Sequence, residues 1–117
     1  MIQSLIKPIP KEMRAEMSSD IFYKKCCLFD EECSGRIEWH HNLTYASRRV
    51  NAPFCILPVC HFHHFHESRS DIKEKLNWIM LNRATSQELL EYSKAINYIE
   101  LKKRLNVKYN NIGSCSK

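Results

Sequence analysis

Two stretches decide the fold of this chain: Gly35-Arg36-Ile37-Glu38-Trp39-His40-His41 and, further along, Leu57-Pro58-Val59-Cys60-His61-Phe62-His63-His64. Together they carry five of the six histidines. In the first, Ile37 and Trp39 alternate with Arg36, Glu38 and His40 after an opening Gly35, the period of a half-buried strand. The second belongs to the apolar run Phe54-Cys55-Ile56-Leu57-Pro58-Val59. Pro58 has no backbone donor, which predicts an edge strand or a strand ending close by. After Cys60 the chain is expected to turn into a helix through His61 to His66. Two strands and a helix start, each bearing histidine or cysteine, predict an α+β finger.

Working outward, Ile21 to Gly35 reads as a cysteine-bearing loop, with Cys26-Cys27 before the polar turn Phe29-Asp30-Glu31-Glu32 and Cys33 after it. Residues 1–20 read as a leader. Pro8 and Pro10 oppose a regular element there, and Lys11 to Met17 has room for a helical turn. Asn42 to Ala52 is a polar connection with room for a short helical turn. From Ser70 and Asp71, the recurrence of Ile72, Leu76, Ile79 and Met80 predicts a helix that ends at Asn82-Arg83-Ala84. Thr85-Ser86-Gln87-Glu88 is a capping box. Leu89, Tyr92, Ile96, Ile99, Leu101 and Leu105 then carry helix to about Asn106, with Ser93 as a break point. The expected layout is a leader at 1–20, a finger at 21–68, C-terminal helices at 69–106 packing on it, and a fraying tail at 107–117.

At 117 residues the chain has the size of one domain. A net charge of +5 mildly favours an anionic partner such as nucleic acid. No run of about 18 apolar residues occurs, so no membrane span is expected. The start lacks the apolar core of a secretory signal, so a cytoplasmic chain with reduced thiols is expected. Six cysteines then call for a reason. Cys26 or Cys27, then Cys33, Cys60 and His63 make two ligand pairs, the second as Cys60-x-x-His63 at a turn into a helix. That is how tetrahedral structural zinc is held, and thiolate with imidazole favours zinc over magnesium. Unliganded core cysteines are the plainer alternative. Cys55 reads as core, and Cys115 as a bystander in the tail.

His40-His41 and His64 suggest a further site. Hydrolysing a phosphodiester needs an activated water, neutralisation of charge on phosphorus and help for the leaving oxygen; a divalent cation supplies the last two. A neutral histidine takes the proton from water. Neighbouring histidines on an extended segment point to opposite sides, so they can hold different roles. Other histidine and cysteine motifs fail. His66-Glu67-Ser68-Arg69-Ser70 lacks a zincin's second histidine, no His-x-Glu precedes Cys60 as in a nucleobase deaminase, and the spacing does not suit a two-cysteine, two-histidine finger.

His40-His41, the polar connection, the apolar strand, Cys60-x-x-His63 and His64 resemble the HNH endonucleases with their ββα-metal (His-Me) finger. More narrowly, Gly35 to His41, Tyr45-Ala46-Ser47-Arg48-Arg49-Val50-Asn51, Ile56 to Cys60 and Leu81-Asn82-Arg83-Ala84-Thr85 look like small phage and prophage HNH proteins. The resemblance covers about residues 23 to 109. It implies DNA cleavage in a bacterial or phage-infected cell. His40 and His64 would hold Mg2+ or Mn2+, His41 would be the general base, and zinc on the cysteines would be structural. The asparagine that orients the base has two candidates, Asn51 by the narrower pattern and Asn42 beside the base. Arg36, Arg48 and Arg49, with Lys24 and Lys25, flank the site as phosphate contacts. A non-catalytic zinc-stabilised DNA-binding or adaptor module is the competing expectation; monomer or homodimer is left open.

Overall fold

The computed structural model describes residues 9–45, 48–93 and 96–115. The chain folds as α+β, with a small two-stranded antiparallel sheet and flanking helices. Strand β1 (Ile37–His41) pairs with β4 (Ile56–Cys60), in the register Glu38 opposite Val59, His40 opposite Leu57 and His41 opposite Ile56. Pro58 directs its carbonyl away from β1, where it accepts from the Cys27 amide at 2.8 Å. Its missing donor would have faced the same way, so the ladder loses nothing.

All five residues of β4 are buried, because the strand is covered on both faces. Leu57 and Val59 enter the main core with Ile72, Leu76, Met80 and Leu81 of α3 (Ser70–Arg83). Ile56 lies instead with Met17 and Tyr23. Met17 belongs to α1 (Lys11–Ser19), and Tyr23 to the 3-10 turn Ile21–Lys24. The segment expected to be a leader is therefore, from Lys11 onward, a helix that seals the second face of β4. Pro10 is tolerated because it occupies the N-cap, ahead of the first orphan amides; residues 1–8 of the expected leader lie outside the described residues. The Tyr23 hydroxyl, 2.7 Å from the Pro53 carbonyl and 2.8 Å from that of Ile56, ties this layer to the chain entering β4.

Three other expectations are corrected. The polar connection forms a small hairpin, β2 (Thr44–Tyr45) with β3 (Arg48–Arg49), rather than a helical turn; Ala46 and Ser47 lie outside the described residues. Phe54 and Cys55 form a 3-10 turn (Pro53–Cys55) ahead of β4. The expected fraying tail is helix. α5 (Tyr98–Cys115) runs on past Asn106, held by Trp78, which stacks on Tyr109 at 4.8 Å and donates to Asn106 Oδ1 at 2.8 Å. Residues 116–117 and the side chain of Cys115 lie outside the described set.

The local signals around α4 (Ser86–Tyr92) took effect as expected. Thr85 Oγ1 accepts from the Glu88 amide at 3.1 Å while Glu88 accepts from the Thr85 amide at 2.9 Å. Beyond Ser93, Asn97 Oδ1 accepts from the amides of Ile99 and Glu100 and starts α5. Helix α2 (His61–Phe65) follows β4 directly and packs on both strands of the sheet.

Gly35 fixes the entry to β1. Its φ is +88°, and a Cβ there would lie 2.7 Å from the His61 Cβ on α2. The adjoining Ser34 carbonyl accepts from the Phe62 amide at 3.1 Å, so neither backbone can retreat freely. Gly35→Ala is expected to destabilise the protein by at least about 1 kcal/mol, from left-handed backbone strain alone. Urea unfolding of the two proteins under the same conditions measures it.

Candidate metal centres

Four side chains from three parts of the chain converge on one point. Cys26 follows the 3-10 turn, Cys33 closes the polar loop, Cys60 ends β4 and His63 lies in α2. His63 Nδ1 is 3.4 Å from Cys26 Sγ, 3.7 Å from Cys33 Sγ and 3.1 Å from Cys60 Sγ. Zinc bonds of about 2.3 Å to sulfur and 2.0–2.1 Å to nitrogen, at tetrahedral angles, put sulfur and nitrogen about 3.5 Å apart. The observed spacings bracket that value. Cys26, Cys33, Cys60 and His63 thus form a cluster fit to hold a metal such as zinc. Burial alone would raise the Cys60 thiol pKa, but the His63 and Ser34 amides and the His63 ring bring it down to about 7. His63 Nε2 faces away from the sulfurs, 3.1 Å from Asp30 Oδ1. That is ion-pair distance without hydrogen-bond alignment, and Nε2 is otherwise unpartnered. A metal on Nδ1 would fix the proton on Nε2, toward the carboxylate.

The choice between Cys26 and Cys27 is made by the backbone. Neighbours on an extended segment point to opposite sides. With the Cys27 amide bound to Pro58, the Cys26 thiol reaches the cluster and the Cys27 thiol packs against the core. Burial, with the neighbouring Cys26 charge, pushes the Cys27 thiol up to about 12. Cys55 is fully buried and also pushed up to about 12 by burial, as a core residue.

A second group lies one residue further along α2. His40 and His64 have ring centroids 5.2 Å apart, and Glu67 reaches both, with Oε1 3.6 Å from His40 Nδ1 and Oε2 3.5 Å from His64 Nε2. One ligand atom from each lies within 4.8 Å of the others. Neighbouring amides and carboxylates orient each imidazole. Asn42 Nδ2 donates to Asn77 Oδ1 at 3.0 Å, which turns Asn42 Oδ1 toward His40 Nε2 at 3.1 Å. An amide oxygen only accepts, so His40 carries its proton on Nε2. Burial, foremost, holds the His40 pKa below the usual histidine value. Glu38 accepts from His64 Nδ1 at 2.7 Å, and the hydrogen bonds from His64 and His61 hold its carboxyl pKa down. His41, on the other face of β1, donates from Nε2 to Asn51 Oδ1 at 2.8 Å.

The remaining expected site residues are placed as follows. Of the two candidate asparagines, Asn51 meets His41 and Asn42 meets His40. Arg36 is exposed and paired with Glu38 at 3.1 Å. Arg49 is exposed on β3; the side chain of Arg48 lies outside the described residues. His61, which had no role in the sequence, bonds the second oxygen of Glu38 at 3.0 Å. Glu38 and Glu67 were missed. Their signals were present: Glu38 shares a strand face with His40 two residues on, and Glu67 lies three residues after His64.

No protein-family model, curated protein or solved structure significantly matches the chain. Among the described residues no helix is long and apolar enough to cross a membrane.

Cys26→Ser is expected to lose bound zinc and to lower the melting temperature, while Cys27→Ser keeps one zinc per chain. Metal analysis of the two purified variants decides it, and equal zinc in both would remove Cys26 from the cluster.

Proposed function

We propose that this chain is a metal-dependent endonuclease of the HNH type, with a structural zinc and a separate divalent cation, acting on DNA phosphodiester bonds. The observation that carries it is the layout of β1, β4 and α2. This antiparallel pair followed by a short helix brings His40 to His64, leaves His41 on an asparagine and flanks them with a Cys3His cluster. A ββα-metal finger would use those elements in that way.

His41 is the general base. With its Nε2 proton committed to Asn51, Nδ1 keeps the lone pair that takes a proton from the attacking water. His40 and His64 would hold the cation, His40 through Nδ1 and His64 through Nε2, the nitrogens that face away from Asn42 and Glu38. That ion, Mg2+ or Mn2+, would neutralise charge on the phosphoryl group and the leaving 3′ oxygen. Arg36, Arg49, Lys24 and Lys25 are exposed and would be the side chains to meet backbone phosphates. A reducing cytoplasm, as in a bacterial or phage-infected cell, would keep the zinc thiols available.

Plasmid cleavage with added Mg2+ or Mn2+ tests the reading. The wild type is expected to nick or linearise DNA, and His41→Ala to be slower by about 10²–10⁴-fold, the usual worth of a positioned base. Zinc content should not change. Tight DNA binding by wild-type protein without cleavage would sink the nuclease reading and leave a zinc-stabilised DNA-binding module.

A further inference from the structure

We propose that Glu67 is a third protein ligand of the second centre, making it a two-histidine, one-carboxylate site for a first-row transition ion of the Mn2+ class rather than for Mg2+. The inference rests on reading His40 and His64 as ligands and extends it to a residue outside the sequence motif. Each oxygen of Glu67 faces one imidazole nitrogen, at 3.6 Å for His40 Nδ1 and 3.5 Å for His64 Nε2. Neither contact is a good hydrogen bond by length. In the neutral imidazoles, the His40 proton is directed to Asn42 and the His64 proton to Glu38, and the nitrogens aimed at Glu67 then present lone pairs. Three acceptors then converge within 4.8 Å with no donor among them. A proton on an imidazole or a cation at the centre would relieve that repulsion, and spacings of 3.6 and 3.5 Å, long for hydrogen bonds, suit the cation.

The donor set decides which cation. Mg2+ prefers oxygen ligands, keeps much of its water and is held by carboxylates and phosphates. Imidazole nitrogens move affinity toward the transition series, and a carboxylate keeps Mn2+ within range. Three protein ligands on one side of the ion would leave positions for water and for a phosphate oxygen. Glu67 is near enough to the surface, with its side chain 43% exposed, for substrate to reach the ion.

The test is a Mn2+ titration of the zinc-loaded, full-length protein, following loss of the free-ion electron paramagnetic resonance signal. Manganese will not displace zinc from thiolates, so the first cluster stays silent. The wild type is expected to bind one Mn2+ per chain. Glu67→Gln keeps the side-chain volume and should keep zinc and the melting temperature, while weakening Mn2+ binding by at least about 10-fold, at the low end of what support to a metal site is worth. Mg2+ should displace Mn2+ only at large excess. Unchanged Mn2+ affinity in Glu67→Gln would overturn the proposal, and so would Mg2+ displacing Mn2+ at equal concentration. Plasmid cleavage on the same samples separates this site from the nuclease reading. Mn2+ held through Glu67 without cleavage by wild-type protein defeats that reading and leaves the site. Cleavage with Mn2+ binding indifferent to Glu67→Gln defeats the site and leaves that reading.

Discussion

The convergence of Cys26, Cys33 and Cys60 on one nitrogen of His63 is the constraint on which the site depends. A two-stranded sheet of five-residue strands is marginal by itself. A five-residue helix is far below the length at which helix is stable alone. The cluster joins the loop before β1, the end of β4 and the body of α2, the junctions that short elements cannot secure. Structural zinc in small fingers contributes on the order of 10 kcal/mol of folding free energy at neutral pH, comparable with the whole stability of an ordinary domain. Arg69 adds a weaker tie, bonding Glu32 beside Cys33 and Asp71 at the start of α3. Both pairs are exposed, where solvent screens them, so the tie is a weak one.

Once α2 is anchored through His63, the direction of His64 follows. Successive residues on a helix are turned by about 100°, so the side chain after a cluster residue leaves toward the sheet. It meets His40 because His40 shares a face with Leu57 and Val59, the side of the sheet on which α2 packs. Each of the three histidines is then turned by a different neighbour: Asn42 for His40, Asn51 for His41, Glu38 for His64. The first of these reaches into α3 through Asn77. The C-terminal helices therefore do more than cover the core, since one of them sets the tautomer of a histidine on β1.

What the sequence made legible was local. The alternation before His41, the proline in β4, the Cys-x-x-His turn, the Ile72-Leu76-Met80 stripe and the Thr85 capping box each act within a few residues. What it hid was decided across the chain. Met17 gives no sign in α1 that it will fill the far side of β4, and the prolines before it point the other way. Trp78 and Tyr109 are too distant in sequence for their stacking to warn that α5 continues. Strands of two residues have no period to read, so the hairpin was invisible. Cys26 and Cys27 are chemically identical neighbours separated by one backbone bond to Pro58. Glu38 and Glu67 were legible by spacing, but exposed carboxylates are so common that spacing alone did not single them out.

His63 and His64 belong to two different donor groups although they are one residue apart. The three sulfurs around His63 are soft and strongly zinc-selective, whereas the group around His64 is nitrogen and oxygen. The dependence between them runs one way. The Cys3His cluster draws nothing from His40, His41 or Glu67, so it can assemble without the second centre. The second centre, in contrast, needs α2 seated on the sheet, and α2 is seated through His63 and Cys60. The two donor groups thus share a single helical turn, with the Cys3His cluster setting the position of the second.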